Sequence, residues 1–410
     1  MLERKWLLQN QEKHQQSANK RNIAQETYTN DFTKFIELDS KMRDIITQQE
    51  STRAKQNQIH GFNDEARALK DDFLRLTQER CALEAQMHEF LINQPNILLD
   101  EVPAGSSEDD NVVIFETTKP THITTPHFDL IDNLIMKDES ANISGSRFVI
   151  LKSTLSELKR ALTNFMIESN KEDGYQEYTI PYIVNESALF GTGQLPKFSE
   201  DAYKLTHGQW LISTGEIGLV NMFGGKVFLQ DELPKLCMTF SPCFRSEAGA
   251  ASRDTRGMIR LHQFHKLELV TICTKEKAHD LHEKKLNAAR KILDALGIPY
   301  RVLLLCGADT GFTASKQYDI EVWLPGMQRY LEIASCSQCG TFQAVRANIR
   351  YKNEDGKMEF AHTLNGSSLP IERLLVAIIE NYATDGGIVI PEALKRYINY
   401  SVIKHDGSVE

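Results

Sequence analysis

One segment carries cationic, aromatic and acidic side chains in a spacing that could bind a nucleotide together with a small zwitterion. It reads FRSEAGAASRDTRGMIRLHQFHKLELV and has a strand-like pattern at each end. Because side chains alternate between the faces of an extended strand, Arg245 and Glu247 are predicted to share one face of the first strand. Phe264, Lys266 and Glu268 share one face of the second. If these strands pair antiparallel, a cation, an aromatic ring and two carboxylates meet on one surface.

The connection between the two strands is an arginine-rich loop. It includes Arg253 and Arg256, together with Gly249, Asp254 and Gly257. Guanidinium groups bind phosphate oxygens in a bidentate geometry. We therefore expect the loop and the two strands to hold a nucleoside triphosphate and a zwitterionic small molecule together.

Three further segments carry polar groups that would be costly to bury without a purpose. They are Thr214-Gly215-Glu216, Glu332-Ile333-Ala334-Ser335, and Asn365-Gly366-Ser367 with Arg373 on the following helix. Each has an ordinary alternative explanation. Thr214 and Glu216 could end a strand that faces water, and Glu332 could be a solvated strand residue. Arg373 could form a surface ion pair with a neighbouring glutamate, and Phe264 could be a core residue.

The elements that position these groups begin with a predicted helical hairpin over residues 32–92. Apolar residues recur at alternating spacings of three and four, which is typical of a coiled coil. Gly61 interrupts the pattern and Asn63 is a good N-cap for the second helix. Gln49, Thr52 and Gln56 occupy core positions near the far end, so we expect a weak seam and a flexible tip there.

The hairpin has two possible functions on sequence alone. Residues 30–94 contain nine Lys and Arg against twelve Asp and Glu, so the hairpin has no basic surface overall. A dimerisation or spacer coiled coil is therefore the simpler interpretation, and RNA binding is the alternative. Residues 1–28 are expected to add a shorter helix at its base.

The rest of the chain is predicted to be α+β with an antiparallel sheet flanked by helices, because its strands and helices do not alternate regularly. We divide the chain into a helical arm (1–100), a Pro/Gly/Ser-rich linker (101–127) and a catalytic domain (128–410). Helices are expected at 151–167, 275–295 and 369–382, the last with Pro370 in its first turn. Strands are expected at 178–182, 209–213, 300–305, 318–323 and 329–333.

Composition bounds the possible functions. The chain has 410 residues, 41% hydrophobic and 25% charged residues, and a net charge of −9. That acidic balance disfavours nonspecific nucleic-acid binding. No apolar run is long enough for a membrane span and the N-terminus has no signal-peptide pattern, so we expect a cytoplasmic location. The seven cysteines suit reduced thiols, and Cys336-Ser-Gln-Cys339 lacks the second ligand pair of a structural zinc site.

Taken in order, these motifs resemble the seryl-tRNA synthetase family of the class II aminoacyl-tRNA synthetases. The resemblance rests on FRSE, the arginine-rich loop, HQFHKLE, YDIEVWLPG, EIAS and TLNGS with its following arginine. Ser144–Leu151 (SGSRFVIL) and Phe190–Phe198 (FGTGQLPKF) also match. It covers about residues 112–396, and the preceding hairpin is similar to the tRNA-binding arm of that family. The resemblance therefore favours RNA binding over a simple spacer.

The resemblance implies roles for the nucleotide site. Arg245 would bind the ATP α-phosphate and the serine carboxylate, and with Arg373 it is expected to be catalytic. Glu247 would accept the adenine amino group, while Phe264 and Arg373 would enclose the adenine ring. Mg²⁺ is the expected cofactor, held by Glu332 and Ser335. The complete predicted ATP set is Arg245, Ser246, Glu247, Arg256, Phe264, Glu332, Ile333, Ala334, Ser335 and Arg373; Arg253 and Arg256 would meet the pyrophosphate end or the tRNA.

The resemblance also implies a serine site and partners. The residues expected around the serine ammonium and hydroxyl are Thr214, Gly215, Glu216, Arg245, Glu268 and Ser367. The implied enzyme is a homodimeric serine–tRNA ligase that forms seryl-adenylate and transfers serine to the 3′ end of tRNA(Ser), and also of tRNA(Sec). Two alternatives stay open: an amino-acid:carrier-protein ligase, and a catalytically weakened paralogue that binds RNA.

The chain departs from the family pattern at several positions. They are Gly215, His265, Ala334, Ser368 and Pro370-Ile371-Glu372. Glu372 is the departure with the clearest chemical consequence, because it could pair with the adjacent Arg373 and rotate or neutralise it. The hairpin is also shorter than is usual in the family.

Overall fold

The computed structural model describes residues 1–59, 63–121, 124–248 and 256–410. Its N-terminal part is helical and contains α1 (Arg4–Gln9), α2 (Gln11–Lys20), α3 (Gln25–Gln56) and α4 (Asp64–Ile92). Helices α3 and α4 pack antiparallel, with the rings of Phe35 and Phe90 stacked at 5.5 Å. The predicted hairpin is therefore confirmed, although α3 begins earlier than expected and two short helices replace the single one predicted at the base.

The seam of the hairpin is apolar near the base and polar toward the tip. Phe35 and Met42 are buried, as the heptad spacing predicts. Farther out, the Gln49 amide donates to Thr77 Oγ1 at 3.0 Å and accepts from Arg80 at 3.1 Å. Asn63 caps α4 by accepting from the Ala66 amide at 2.8 Å, as predicted. The expected break at Gly61 and the flexible tip lie outside the described residues.

The remainder of the chain combines short helices with a large sheet. Its helices are α5 (His127–Leu130), α6 (Lys137–Ser144), α7 (Thr154–Glu172), α8 (Glu186–Thr192), α9 (Glu216–Asn221), α10 (Ala278–Ala295), α11 (Phe342–Ala347) and α12 (Ile371–Asn381). Its strands are β1 (Val112–Glu116), β2 (Gln176–Glu177), β3 (Ile183–Val184), β4 (Trp210–Leu211), β5 (Val227–Leu229), β6 (Lys235–Phe244), β7 (Gln263–Cys273), β8 (Tyr300–Leu304), β9 (Lys316–Leu324), β10 (Arg329–Gly340), β11 (Arg350–Lys352), β12 (Met358–Phe360), β13 (His362–Pro370), β14 (Ala383–Thr384), β15 (Gly387–Val389) and β16 (Val402–Ile403).

Eight strands form the main sheet, in the order β1-β8-β9-β10-β13-β7-β6-β2. Neighbouring strands are antiparallel except for β2 and β6. In the β6–β7 pair, Phe244 lies opposite Gln263, and Ser241 lies opposite Lys266. Helices α7, α10 and α12 cover one face of the sheet with a large apolar cluster. The opposite face of the sheet carries polar side chains on β6, β7, β10 and β13.

Several expected boundaries are wrong in informative ways. Residues 178–182 are not a strand; short strands β2 and β3 flank them instead. Strand β6 ends at Phe244, so Arg245 and Glu247 follow the strand rather than belong to it, and Glu247 has a positive φ of 53°. Pro370 precedes the first turn of α12 instead of lying in it. Local alternation did not reveal these endings because tertiary contacts set them.

Two arginines, the partly buried Arg21 and the buried Arg346, connect the N-terminal helices to the sheet-containing part. Arg21 donates to the backbone carbonyls of Thr310 and Ala314, each at 2.8 Å, and burial lowers its pKa to about 10. Arg346 donates to the carbonyl of Ile92, the last residue of α4, at 2.7 Å. These contacts join the predicted arm (1–100) to the predicted catalytic domain (128–410). The proposed domain boundaries stay a prediction.

Two further features of the chain concern membrane-spanning helices and cysteines. Within the described ranges, no helix is long and apolar enough to cross a membrane. All seven cysteines are reduced; Cys81 on α4 is exposed, whereas the other six are buried. Cys336 and Cys339 both lie on β10 and are among the buried ones.

Candidate active site

Two adjoining cavities lie on the polar face of the main sheet. The larger, of about 920 Å³, is bordered by Thr214, Glu216, Glu268 and Asn365. The smaller, of about 180 Å³, is lined by residues that include Met258, Ile259, Phe264, Glu332, Ile333, Ala334, Ser367, Glu372 and Arg373. Both cavities share Arg245, Glu247, Arg260, Lys266 and Ser335. Groups from distant parts of the sequence therefore meet in one continuous cleft.

Arg245 lies at the junction of the two cavities. Its Nε donates to the Ser213 carbonyl at 3.3 Å, and its guanidinium lies 5.2 Å from the centre of the Phe264 ring. The backbone amide of Arg245 donates to the His262 carbonyl at 2.9 Å, which fixes the position just after β6. Because Arg245 lines both cavities, its guanidinium can bind an anion in the cleft.

Glu247 and Arg260 form an ion pair inside the cleft. The left-handed backbone at Glu247 turns its side chain back toward the segment that precedes β7. Ser246 behaves differently, since its hydroxyl donates to the Glu200 carbonyl in the neighbouring turn. Alternation alone had placed Glu247 correctly on the side of Arg245, although the strand ends before it.

A chain of carboxylates and donors lies at the closed end of the larger cavity. Thr214 Oγ1 donates to Glu268 at 3.0 Å, and Lys266 forms an ion pair with the same carboxylate. Glu216 accepts from Asn365 Nδ2 at 2.8 Å and also from the amide of Gln343. Burial, and then the nearby Glu268 carboxylate, raise the pKa of Glu216 to about 7.

Gly215 permits α9 to approach the sheet closely at this end. A Cβ at this position would lie 2.6 Å from Thr239 Cγ2 and 3.1 Å from Glu268 Cβ. The departure from the family pattern at Gly215 therefore matches the close packing of α9 on β6 and β7 in this chain.

Arg373 projects from α12 into the smaller cavity. Its Nε donates to the Ile259 carbonyl at 3.1 Å, and its Nη1 donates to the Glu332 carbonyl at 2.7 Å. The Glu332 carboxylate lies 3.7 Å away and is half exposed. These backbone acceptors hold the guanidinium in the smaller cavity, whose lining also includes Phe264.

Glu372 does not pair with Arg373, contrary to the possibility raised by the sequence. Its carboxylate accepts from Lys159 Nζ at 2.9 Å and from the His265 backbone amide at 2.8 Å. Burial alone would raise the pKa of Glu372, but these partners hold it below its ordinary value. The unusual His265 and Glu372 are therefore explained together, as two members of one hydrogen-bonded cluster with Lys159, in which Glu372 is buried.

The arginine-rich loop is only partly described. Arg253 lies outside the described residues. Arg256 is exposed, pairs with Asp129 at 3.4 Å and packs over the Phe128 ring at 4.0 Å. Arg256 is thus not brought into either cavity, unlike the other charged residues of the predicted ATP set.

Sequence reasoning missed several polar residues in and around the cleft, among them Arg260, which lines both cavities and pairs with Glu247. Lys266 was placed on the correct face but given no role, although it pairs with Glu268. Gln343, on α11, donates to Glu216, and Asp319 lies on β9 opposite Ser335. Burial, and then Glu332, raise the pKa of Asp319 well above its ordinary value. The face shared by Lys266 and Glu268 was a usable signal, whereas nothing local marked Gln343.

Comparisons with known proteins agree with this architecture. The family model described as the tRNA synthetase class II core domain (G, H, P, S and T) matches residues 200–382. A serine–tRNA ligase from Novosphingobium aromaticivorans is 45% identical over 387 residues, covering 89% of this chain and 91% of the relative. One from Rickettsia akari is 43% identical over 420 residues and covers 97% of both chains.

Solved structures give the same result. Seryl-tRNA synthetase from Pyrococcus horikoshii, complexed with ATP, superposes with a TM-score of 0.93 at 30% identity, covering 98% of this chain and 99% of the other. The cytoplasmic serine–tRNA ligase from Naegleria fowleri, in complex with AMP, gives 0.88 at 26% identity and 96% coverage of both chains. The eight-stranded antiparallel sheet and helical hairpin are thus those of a class II synthetase, and the chain belongs to the serine–tRNA ligase family.

Proposed function

We propose that this chain activates serine with ATP and transfers it to the 3′ end of tRNA(Ser). The observation that supports this most directly is the position of Arg245 between a carboxylate-lined cavity and a cavity bounded by Phe264 and Arg373. A cation at that junction can contact both an amino-acid carboxylate and a phosphate. The ATP-bound and AMP-bound relatives support a nucleotide in the same cleft.

The smaller cavity is proposed to hold the adenosine end of ATP. Phe264 and the Arg373 guanidinium offer two flat surfaces between which an adenine ring can stack. Glu247 is a suitable acceptor for the adenine amino group, with Arg260 holding its carboxylate in place. Ile333 and Ala334 supply the apolar wall, since both are buried on β10.

Glu332 and Ser335 are proposed to bind Mg²⁺ together with the phosphates of ATP. Their oxygen atoms are the hard ligands that Mg²⁺ prefers. In the part of the chain that the structure describes, no group of three or more His, Cys, Asp or Glu side chains could hold a metal. Two protein ligands completed by phosphate oxygens and water fit that observation. When bound, Mg²⁺ would neutralise phosphate charge during displacement.

The larger cavity is proposed to hold serine. Glu216 and Glu268 can attract its ammonium group, and Thr214 can contact its polar end, whereas Ser367, also predicted for the serine site, lines the adjoining smaller cavity. Because the Glu216 pKa is raised to about 7, a bound ammonium would shift that carboxyl toward its ionised form. If alanine bound in place of serine, the protein groups that contact the substrate hydroxyl would be left without a partner. In comparable sites, such unpaired groups discriminate against the analogue by ~10⁴–10⁵.

The first chemical step is a displacement at phosphorus. The serine carboxylate is already ionised at neutral pH, so no general base is needed for its oxygen to attack the α-phosphorus. The bond to pyrophosphate breaks as the new P–O bond forms. Arg245 is positioned to stabilise the charge that develops on the α-phosphate, and such preorganised donors are a large part of catalysis.

In the second step, a terminal ribose hydroxyl of tRNA attacks the carbonyl of seryl-adenylate and AMP leaves. A phosphate oxygen of the adenylate is proposed to take the hydroxyl proton.

The α3–α4 hairpin is proposed to bind tRNA(Ser), and tRNA(Sec) is a second proposed substrate. We further propose a homodimer that works in the cytoplasm; sedimentation at twice the chain mass of 46.6 kDa would support the dimer.

One pair of assays tests the proposed function. Purified protein is given ATP, Mg²⁺ and each of the twenty amino acids, and pyrophosphate exchange is measured. Serine alone is expected to support rapid exchange, followed by charging of tRNA(Ser). Exchange with serine but transfer only to a carrier protein would favour the carrier-protein alternative. No exchange with any amino acid would favour a non-catalytic RNA-binding paralogue.

A further inference from the structure

A buried histidine and glutamate lie behind the smaller cavity. His127, the first residue of α5, and Glu380, near the end of α12, are both completely buried. The backbone amide of His127 donates to Glu380 Oε1 at 3.0 Å, and the ring Nδ1 lies 2.9 Å from the same oxygen. The last residue of the predicted linker is thereby attached to the helix that carries Arg373.

The hydrogen bonds around Glu380 determine which imidazole nitrogen carries the proton. Its other oxygen, Oε2, accepts from the backbone amides of Gly326 and Met327 at 2.8 and 3.2 Å. A carboxylate that accepts from this many amides requires Nδ1 of His127 to be a donor as well. The Nε2 atom of His127 is then an acceptor that points away from Glu380.

That acceptor is used by the end of the arginine-rich segment. The Met258 backbone amide donates to His127 Nε2 at 3.4 Å. Gly257 has a φ of 73°, and a Cβ there would lie only 2.0 Å from Nε2. Only glycine permits this approach without displacing the imidazole. The chain is therefore in direct contact with His127 where it returns from the loop toward β7.

The residue that follows this contact positions Arg373. The Ile259 carbonyl accepts from Arg373 Nε at 3.1 Å. Arg373 and Glu380 are seven residues apart on α12, which is about two helical turns or roughly 10 Å. The segment 257–259 is thus attached to α12 at two points: through His127 and Glu380, and directly through Arg373.

We propose that His127 is a positioning residue for the nucleotide. Its imidazole, oriented by Glu380, holds Met258 so that the adjacent Ile259 carbonyl keeps Arg373 against the adenine ring. The inference rests on the proposed function, because it deepens the role of the same site, and it concerns ATP binding specifically. The serine end of the cleft, around Glu216, makes none of these contacts in the described ranges.

Two isosteric variants separate the halves of this arrangement. In His127→Asn the amide can replace Nδ1 as a donor to Glu380, but the acceptor for Met258 is lost. In His127→Gln the amide oxygen can reach the position of Nε2. We expect His127→Asn to raise the Kd for ATP with Mg²⁺ about tenfold, measured by calorimetry without serine. His127→Gln should restore ATP binding to within about threefold of the unmodified chain.

A matched control distinguishes positioning from general destabilisation. His14 is a buried histidine of α2 in the N-terminal part, next to Tyr28. His14→Asn should lower the thermal unfolding midpoint without changing the Kd for ATP. If His127→Asn leaves ATP affinity within twofold of the unmodified chain, the proposal is wrong. Equal losses in His127→Asn and His14→Asn would also overturn it.

A double-mutant cycle gives an independent test if His127→Asn folds poorly. Gly257→Ala should weaken ATP binding about tenfold because its methyl group collides with the imidazole. In His127→Ala/Gly257→Ala that collision is removed, so the combined loss should be smaller than the product of the single losses. Multiplicative losses would contradict direct contact as the cause.

The test is independent of whether serine is the substrate. If the unmodified chain binds ATP but shows no exchange with serine, the proposed function fails while the His127 measurements still stand. If exchange with serine is normal and the Kd for ATP does not change in His127→Asn, only the positioning role is wrong. The KM for serine should change less than twofold in His127→Asn, because the Glu216 end is not altered.

Discussion

At the scale of single residues, Arg245 has the strongest claim to a chemical role. It borders both cavities, packs over Phe264 and is fixed by backbone contacts at Ser213 and His262. An arginine can donate to two oxygens at once in a planar fork, which a lysine cannot do. The serine carboxylate and the α-phosphate are the two anions that this position would bring together.

Arg245→Ala is therefore expected to reduce serine-dependent pyrophosphate exchange by about 10²–10³, the cost of removing a preorganised donor. Arg245→Lys should retain part of the activity, since it keeps the charge but not the fork. Arg396→Ala, which removes exposed contacts to Glu168 and Tyr397 and does not line the cleft, serves as the control. Normal exchange in Arg245→Ala would show that the nucleotide site is assigned wrongly.

Glu216 gives a prediction about pH. Its pKa is raised from 4.5 to about 7, so between these values the folded protein holds a proton that the unfolded chain has released. Wild-type stability should therefore fall as pH rises through that window. At about 1.4 kcal/mol per pKa unit, the effect is on the order of 3 kcal/mol.

The comparison is with Glu216→Gln, which cannot titrate. Thermal unfolding measured from pH 5 to pH 8 should show the wild type losing stability relative to this variant as pH rises. Glu392→Gln, an exposed substitution, should follow the wild type throughout. Parallel pH profiles for wild type and Glu216→Gln would contradict the raised pKa.

The sequence predicted most side chains of the site but not their partners. Alternation identified Phe264, Lys266 and Glu268 because β7 is a long regular strand. It could not predict that Gln343 from α11 would donate to Glu216, because no local pattern encodes a contact between distant elements. The roles implied by family resemblance stay predictions until the variants are measured.

At the scale of elements, the hairpin formed by α3 and α4 is the part most clearly separable from the cleft. Its base is apolar, whereas Gln49, Thr77 and Arg80 form a hydrogen-bonded layer farther out. Seven-residue spacing predicted this pair well because each helix has a single buried stripe. The short strands β2 and β3 were not predicted, since two residues are too few to show alternation, whereas β4 lies within the strand expected at 209–213.

Shortening the hairpin should separate the two chemical steps. Removing residues 46–79 and joining Ile45 to Arg80 through a Gly-Asn turn keeps the apolar base. We expect pyrophosphate exchange to stay within twofold of the full chain, because the cleft lies elsewhere. Charging of tRNA(Ser) should fall by at least about 100-fold, equivalent to roughly 3 kcal/mol of lost binding. An unchanged charging rate would exclude the hairpin as a tRNA-binding element.

At the scale of the whole molecule, the N-terminal helices are held by polar contacts to backbone carbonyls. Arg21 alone donates to Asn96, Thr310 and Ala314. The predicted division into arm, linker and catalytic domain did not anticipate this, because a charged residue in a polar helix is usually at the surface. Composition indicated where the helical arm gives way to the α+β part of the chain. It did not indicate which side chains would form contacts between these two parts.

Arg21→Met should therefore be destabilising even though the side chains are similar in size. Several buried carbonyls would lose their donor, at about 1–3 kcal/mol for each one that water cannot reach. Arg67→Met, on the exposed side of α4, is the matched control. Thermal unfolding should show a clearly lower midpoint for Arg21→Met only; equal midpoints would mean that solvent replaces the lost contacts.

The distribution of thiols across the chain has a practical consequence. Cys81 is exposed on α4, while Cys237, Cys243, Cys273, Cys306, Cys336 and Cys339 are buried. A maleimide dye should consequently label the native enzyme at one position on the arm without any engineered mutation. Fluorescence anisotropy of that label would follow the encounter between arm and nucleic acid in real time, and it would do so in the unaltered sequence.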